Sequence, residues 1–415
     1  MQDIKKIFYN EKKINIVNIF LISLLPLALI TRSAVINIFT VLIAATFLIT
    51  LINEKKFFFL NDKIFYLLCF FWTSLIINLF FTTNLESSFF RALGVGKFIL
   101  FIFSIKYYLL YKNSKYEKFI YQIWFFIFSV VSLDLLFEFI FGFNSLGYVS
   151  PMPGRLSGFL NQELKIGHYY SAFFLISLSY IYSNYKNYFY IYLFSFVFIF
   201  ISFAIGERSN FIKAFLIFLL FYFMFDRKFI FKKIFLFFTF STLLIFVGLQ
   251  NDGIKLRLWD QFLKPISHNK KVFDYIKKSH YGAHYDTAIK IFHNYPVFGA
   301  GLKNYRNESS KDIYKSGDPD FDQWRWATHP HQIHFEFLSE TGIFGYLSFI
   351  FFFLLSIGWS IKSYLNNKNI YQLSSILFVI VSVLPILPSG SFFTTYGATI
   401  FWINFSIMIS YNNKK

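Results

Sequence analysis

The sequence predicts an all-α integral membrane protein in which about twelve transmembrane helices carry one long, partly helical loop outside the cytoplasm. Its 415 residues are 56% hydrophobic, include 64 phenylalanines and have a mean hydropathy of +0.50, which is too apolar for a water-exposed surface. Apolar runs close to the ~20 residues that a helix needs to cross the hydrocarbon core recur along the chain. One long polar segment, residues 250–330, interrupts them.

The predicted spans divide the chain into three parts. Residues 1–249 hold helices 1–9 with short loops, residues 250–330 form the large loop, and residues 331–415 hold helices 10–12. The first apolar run lacks a small-residue cleavage site and more spans follow it, so we expect a retained helix and not a signal peptide. The candidate spans are 14–31, 33–52, 64–82, 93–111, 119–142, 168–183, 188–206, 209–225, 229–249, 342–361, 370–388 and 391–411.

Lysine and arginine positions predict the orientation. Most cations of the short loops fall on one side, and positive residues near span ends stay cytoplasmic. Both termini are therefore predicted in the cytoplasm and the large loop outside. The net charge of +18 is then mainly a topology signal, and no basic patch with interleaved aromatics indicates nucleic-acid binding. The short loops of the outer side hold Arg32, Arg91, Arg155, Lys165 and Arg208.

The large loop itself is predicted to be partly helical. Periodic apolar positions indicate short helices near residues 254–262 and 285–292, separated by prolines. An unstructured loop of this length would be unusual unless it carried function. His280, His284 and His293 are interpreted as solvated loop residues. Cys69, the only cysteine, lies within the third predicted span, so the loop has no disulfide.

At the end of the large loop, a segment rich in histidines and carboxylates is followed directly by an apolar span. Thr328 or His329 as the cap and Pro330 at the first helical position predict a helix that starts at the outer membrane face. Such a helix places His331 and His334 on one face. Its free N–H groups and positive end suit an anion such as phosphate. Farther along lie the polar residues Gln332, Glu336, Ser339 and Glu340, then Gly342 and Gly345, whose small size lets a neighbouring helix or lipid tail approach.

Cations at the same membrane face predict a phosphate-binding site. Arg208 marks the outer ends of two spans with almost no loop between them, Lys213 lies one turn deeper, and Arg257 opens the large loop. Arginine keeps its charge and matches phosphate oxygens with two parallel hydrogen bonds. Further cations near this level are Arg91, Lys97 and Arg155.

These residues resemble the motifs of the membrane O-antigen ligase and O-antigen polymerase family of glycosyltransferases. The ligase signature is His, then Asn, Ser or Gln, nine residues, Gly, two residues, and Gly, Thr or Tyr; here it is His331-Gln332, nine residues, Gly342, two residues, Gly345. Residues 295–302 are similar to the family's Pro-hydrophobic-Phe-Gly-x-Gly segment. An earlier loop and the membrane-edge arginine are matched by Arg155-Leu156-Ser157-Gly158-Phe159 with Asn161 and Glu163, and by Arg208.

The resemblance implies a GT-C-like enzyme of the bacterial inner membrane whose large loop is periplasmic. It implies glycan transfer from undecaprenyl pyrophosphate to a hydroxyl of the lipid A core, without a metal or other cofactor. Arginines matching Arg208 and Arg257 would hold the pyrophosphate, and His331 would take the acceptor's proton. Imidazole is a competent base at neutral pH, and guanidinium groups stabilise charge on a leaving group. Arg155, Lys213 and Arg91 complete the predicted donor site.

Two positions depart from the family's usual residues. Glu207 stands where the family often has Ser, and Gln332 stands where it often has Asn. We expect Glu207 either to pair with Arg208 and orient it or to weaken its contact with phosphate. The residues predicted to support the site are Gln332, Glu336, Glu340, Gly342, Gly345, Glu207 and Glu163.

Simpler interpretations of the same residues stay open at this point. Taken alone, His331 fits a histidine of an interfacial helix, and Arg208 fits an arginine at a span end that reaches phospholipid headgroups. Arg91, Arg155 and Lys213 fit this second interpretation more closely than Arg208 does. His329, His331, His334 and Glu336 could together form a zinc site, although their spacing is not a recognised one.

Two further alternatives concern the function of the whole protein. Asp134 and Glu138, one turn apart in the fifth predicted span, could form a proton relay in a transporter. A transporter also predicts repeat symmetry and charges along a path through the bilayer, and the sequence shows neither. Among glycosyltransferases, a polymerase uses the same donor as a ligase but a lipid-linked glycan as acceptor, and the ligase signature favours the ligase.

Overall fold

The computed structural model describes residues 8, 11–55, 57–111, 114–185, 188–224, 230–268, 276–385 and 387–412. Every regular element within these ranges is a helix, and they contain no strand. The predicted all-α membrane class is therefore confirmed for this part of the chain. The orienting cations at 5–6, 56, 112, 186, 227–228 and 414–415 lie outside the described residues.

Helices of the first part follow each other with short connections. Each of the nine spans predicted before residue 249 overlaps at least one of them, and the first span is broken at Leu24, just before Pro26. The helices are α1 (Lys13–Ser23), α2 (Leu25–Leu29), α3 (Ser33–Glu54), α4 (Lys63–Asn78), α5 (Leu85–Val95), α6 (Lys97–Lys106), α7 (Ser114–Phe141), α8 (Ile166–Tyr185), α9 (Tyr188–Ala204), α10 (Arg208–Met224) and α11 (Ile230–Gln250).

The large loop is folded into short helices, as its apolar periodicity predicts. It contains α12 (Asp252–Lys255), a π-helical turn (Leu256–Leu263), α13 (Lys264–His268), α14 (His280–Asn294), α15 (Tyr305–Glu308) and α16 (Pro319–Asp322). Pro265 lies inside the first turn of α13 and does not end the helix there. The last part holds α17 (Ile333–Asn367), α18 (Ile370–Ser382) and α19 (Thr395–Ser410).

Six helical stretches among the described residues are long and apolar enough to cross a membrane. Three shorter helices, Lys13–Ser23, Phe189–Ala204 and Ile370–Ser382, are also apolar. The count of twelve spans and the orientation stay predictions. The six stretches are Ser33–Glu54, Lys63–Phe81, Leu85–Leu110, Ser114–Phe141, Lys233–Gln250 and Ile333–Asn367.

Helix α17 connects the large loop to the membrane part of the protein. It packs against α4 inside the bundle and against α14 of the large loop. Helices α18 and α19 pack together and against α8. The loop after α18 and the start of α17 therefore meet the large loop at one end of the bundle.

The start of α17 differs from the sequence prediction. The helix begins at Ile333 and not at Pro330, so His331 precedes the helix. Gly342 interrupts the same helix with φ 64° and ψ −169°, a conformation that is essentially restricted to glycine. Both features come from contacts with distant segments, which are described below.

Candidate active site

A cavity of about 460 Å³ lies where the large loop meets the ends of α10 and α17. Ligand sites typically have volumes of about 300–1,000 Å³. Arg208 and His331, which are 123 positions apart in the numbering, both line this cavity. The cavity therefore brings the predicted donor-binding arginine and the predicted base to one place.

Three arginines, Arg155, Arg208 and Arg257, line the cavity. Gln261 fixes two of them: its side-chain oxygen accepts from Arg257 Nη1 at 2.7 Å, and its backbone oxygen accepts from Arg208 Nη1 at 2.8 Å. The Arg208 guanidinium also lies over the Phe262 ring, 5.5 Å from its centroid. Burial, and then the charges of Arg208 and Arg155, lower the pKa of Arg257 to about 10, so it remains charged at neutral pH. The carboxylate of Glu207 lines the same cavity, and the three arginines leave its lining with an excess of positive charge, which favours an anionic ligand.

Glu207 pairs with Arg155, not with Arg208. Its carboxylate lies 2.9 Å from Arg155 Nη2 and accepts from Gly167 N at 3.1 Å and from Asn210 Nδ2. Because Glu207 is used in these contacts, it fixes Arg155 and the start of α10. Arg208 is left to face the cavity, and neither role expected for Glu207 towards Arg208 matches this geometry.

Asp134 and Glu138 fasten the loop that carries Arg155. Glu138 accepts from Gly158 N at 2.7 Å, and Asp134 Oδ1 accepts from Ser145 N at 2.8 Å. Both carboxylates are buried. Their partners lie in this loop, so both carboxylates position it.

His331 adopts a strained backbone conformation at the cavity. Its φ is 56°, in the left-handed region that side chains other than glycine rarely enter. Its carbonyl accepts from Ser389 N at 2.7 Å, so a loop far along the chain holds this conformation. Gln332 then caps α17, because its side-chain oxygen accepts from His334 N at 2.7 Å and from Phe335 N at 3.1 Å.

This cap changes two predictions. The N–H groups expected to bind an anion at this helix start are partly satisfied by Gln332, and the arginines of α10 and the large loop line the cavity instead. His331 and His334 also do not share a helix face, since the His334 ring nitrogens contact Tyr346 Oη at 2.9 Å and Val383 O at 2.8 Å.

The zinc interpretation does not match the arrangement of its four residues. His334 is engaged by Tyr346 and Val383, and Glu336 accepts from Phe392 N at 2.8 Å and from the Ser391 hydroxyl. In the part of the chain that the structure describes, no group of three or more His, Cys, Asp or Glu residues is arranged to hold a metal ion.

His331 belongs to a cluster of aromatic rings that sequence analysis did not find. Its ring centroid lies 4.0 Å from His329, 5.2 Å from His284 and 6.0 Å from Tyr281. The prediction that His284 is solvated is wrong, since only 6% of it is exposed. His280 is exposed but also lines the cavity.

Burial keeps these imidazoles neutral. It lowers the pKa of His331 to about 4, with a further contribution from His280. It also lowers the pKa of His284 to about 4 and that of His329 to about 2. At neutral pH, His331 therefore carries a free lone pair beside the cavity, which a general base requires.

The two glycine-containing motifs of the sequence are joined to each other. Gly342 and Gly299, with φ 64° and 73°, let the backbones touch: a Cβ on Gly342 would lie 2.5 Å from Gly299 N. Glycine here admits the preceding loop and not a neighbouring helix or lipid tail. The backbone bonds across the junction are Ala300 N to Ser339 O, Gly301 N to Glu340 O and Ile343 N to Pro296 O, each 2.9 Å, and Phe344 N to Val297 O at 3.0 Å. A Cβ on Gly345 would lie 2.5 Å from the Thr341 side chain.

Arg91 lies with a buried group of carboxylates and not with the cavity arginines. It is within electrostatic range of Glu340 and Glu336. Lys303 N donates to Glu340 at 2.8 Å, and Lys303 Nζ lies 3.5 Å from Ser391 Oγ. This network links the large loop, α17 and the loop before α19, so it supports the fold around the cavity.

Two other predicted site residues lie beside or away from the cavity. Lys213 Nζ donates to Pro388 O at 2.9 Å and faces an adjoining cavity of about 80 Å³, which shares His168 with the larger one. Glu163 is exposed and pairs with Lys165. Neither of them is among the residues that line the larger cavity.

The match with a known family covers the centre of this site. Residues 192–350 match the family model described as O-antigen ligase. This segment of the chain is therefore similar to the O-antigen ligase family. The matched segment includes Arg208, Arg257 and His331, whereas Arg155 precedes it. The family resemblance of the sequence is thereby confirmed. A comparison with curated proteins finds no match.

Proposed function

We propose that this protein moves a glycan from undecaprenyl pyrophosphate to a hydroxyl of the lipid A core at the periplasmic face of the inner membrane. One observation carries the proposal: Arg208, Arg257 and His331, which all belong to the matched segment, line one cavity of about 460 Å³. A pyrophosphate leaving group and a hydroxyl acceptor need this combination of cations and a base.

The arginines hold the donor's pyrophosphate. Arg208 opens α10, so its guanidinium and the N-terminal end of a 17-residue helix share one wall of the cavity. Helix N-termini and arginines both favour phosphate oxygens. Arg257 stands beside Arg208 through their common partner Gln261, and Arg155, which pairs with Glu207, lines the same cavity. These fixed cations therefore stabilise the negative charge that develops on the leaving pyrophosphate.

His331 acts as the general base. Its neutral imidazole takes the proton of the acceptor hydroxyl while the hydroxyl oxygen forms a bond to the anomeric carbon of the donor sugar. The bond from that carbon to the pyrophosphate oxygen breaks, and undecaprenyl pyrophosphate leaves with the electron pair. Because guanidinium groups balance the leaving charge, the proposed reaction is metal-independent.

Membrane position completes the proposal. The cavity lies at one end of the apolar bundle, where a lipid-linked donor presents its headgroup to water. The cations of the short loops support cytoplasmic termini and a periplasmic large loop. A lipid donor can then reach the arginines from the bilayer while the acceptor approaches from the periplasm.

A deletion of the gene distinguishes ligase from polymerase. Lipopolysaccharide from the deletion strain is separated on a gel, and lipid-linked glycan is quantified in parallel. A ligase predicts loss of all long chains with accumulation of lipid-linked polymer. Lipopolysaccharide that carries one added repeat unit would instead identify the polymerase, and unchanged patterns in both fractions would refute the proposal.

A further inference from the structure

A continuous line of aromatic rings leads from His331 out of the cavity. The Tyr281 ring centroid is 6.0 Å from that of His331, His280 follows at 4.1 Å from Tyr281, and Trp324 follows at 6.4 Å from His280. Tyr281 and His280 both line the cavity. We call these three residues, Tyr281, His280 and Trp324, the ring line.

The outer end of the ring line is held open to solvent. Trp324, which lies in the large loop, is 42% exposed. The next residue, Arg325, is buried and donates to Ser309 O at 2.6 Å and to Lys311 O. These two hydrogen bonds fix the backbone, and the indole of Trp324 stays at the surface beside His280.

Tyrosines with both an apolar ring and a polar hydroxyl lie beside the ring line. Tyr285 lines the same cavity, and its buried hydroxyl has no hydrogen-bond partner among the described residues. Tyr281 and Tyr285 are themselves in ring contact, with centroids 6.4 Å apart. Aromatic side chains that combine an apolar face with a polar tip suit ligands that have both kinds of surface. Sugar rings are such ligands, because one face presents C–H groups and the rim presents hydroxyls.

We propose that the ring line binds the sugar rings of the acceptor glycan. The assignment rests on the proposed function of His331: the attacking hydroxyl must lie at this imidazole, so the sugar that bears it occupies the inner end. The next sugars of the acceptor then follow Tyr281 and His280 outwards to Trp324. The donor glycan is fixed at its pyrophosphate end by the arginines, so the line that starts at the base belongs to the acceptor.

The test compares two tryptophan variants of the purified full-length protein. Trp324→Ala removes the outer ring of the line. Trp326→Ala is the matched control, because Trp326 is 64% exposed in the same loop and takes part in no ring contact among the described residues. Transfer is measured with two acceptors, one bearing a single terminal sugar and one bearing several core sugars, and with donors of short and long glycan chains.

The proposal predicts a change that depends on acceptor length. Trp324→Ala raises the KM for the long acceptor roughly fivefold, which is the loss of about 1 kcal/mol from one ring contact. The KM for the single-sugar acceptor, the kcat and all values for Trp326→Ala stay at the wild-type level. Equal kinetics for both variants would overturn the proposal. A change that follows donor length and not acceptor length would assign the line to the donor and overturn it as well.

A binding measurement separates this proposal from the proposed function. Core oligosaccharide freed of lipid A carries a fluorescent label, and its anisotropy is followed as protein is added. The proposal predicts about fivefold weaker binding to Trp324→Ala than to the wild type, whether or not the wild type transfers glycan. If the wild type binds the oligosaccharide but transfers nothing, the reaction assignment fails alone. If the wild type does not bind it, the ring line is not an acceptor site.

Discussion

Gly342→Ala should destabilise the protein by breaking the junction between the two glycine-containing motifs. An alanine at φ 64° and ψ −169° costs about 1–3 kcal/mol in backbone strain. Its Cβ would also lie 2.5 Å from Gly299 N, so the loop must move away. Loss of the bonds from Ile343 N and Phe344 N, at about 1 kcal/mol each, brings the expected total to about 3–5 kcal/mol.

The same helix offers a matched control. Gly358 lies farther along α17, and a Cβ there would meet no heavy atom within 4 Å. Gly358→Ala should leave the free energy of unfolding unchanged or raise it by at most about 1 kcal/mol. Both variants are unfolded by titration with a denaturing detergent from mixed micelles. If Gly342→Ala unfolds at the same detergent fraction as Gly358→Ala, the described junction is not what requires glycine.

Three other predictions follow from the site. Because burial lowers the pKa of His331 to about 4 and the base works unprotonated, transfer should stay constant from pH 8 to about 5.5 and fall below about 4; an inflection near 6.5 in the pH profile would contradict this. Arg257→Gln should raise the donor's KM roughly 10- to 100-fold without changing the acceptor's KM, as initial rates will show. Gln332→Ala should lower the free energy of unfolding by about 1 kcal/mol through loss of the α17 cap, and Gln332→Asn should recover part of it; equal stability of both variants would disprove the capping role.

The sequence was sufficient for features that depend on local pattern. The apolar runs located the helices because a membrane span must satisfy its backbone hydrogen bonds within one segment of the chain. The loop helix at residues 280–294 followed from its apolar spacing. The spacing from His331 to Gly342 and Gly345 identified the matched segment, because a motif can be recognised in a sequence without knowledge of the contacts that its residues make.

Features that depend on distant contacts were missed. Pro330 fits the first position of a helix, but Ser389 N holds the His331 carbonyl, and the helix starts two residues after His331. His284 looked solvated because nothing in its neighbourhood along the chain shows that it packs on His331. Glu207 was expected to act on its neighbour Arg208, yet the fold brings Arg155 to it. Each error concerns a partner supplied by another segment, which a single sequence does not specify.

The central claim is that one cavity holds the donor by its arginines and activates the acceptor by His331. The most direct test is the rate of glycan transfer by purified His331→Ala protein that has been loaded with labelled donor. The account predicts that the variant binds the donor like the wild type but transfers it at least about 100-fold more slowly, the usual contribution of a general base. Transfer within a factor of about two of the wild-type rate from the same amount of bound donor would contradict it.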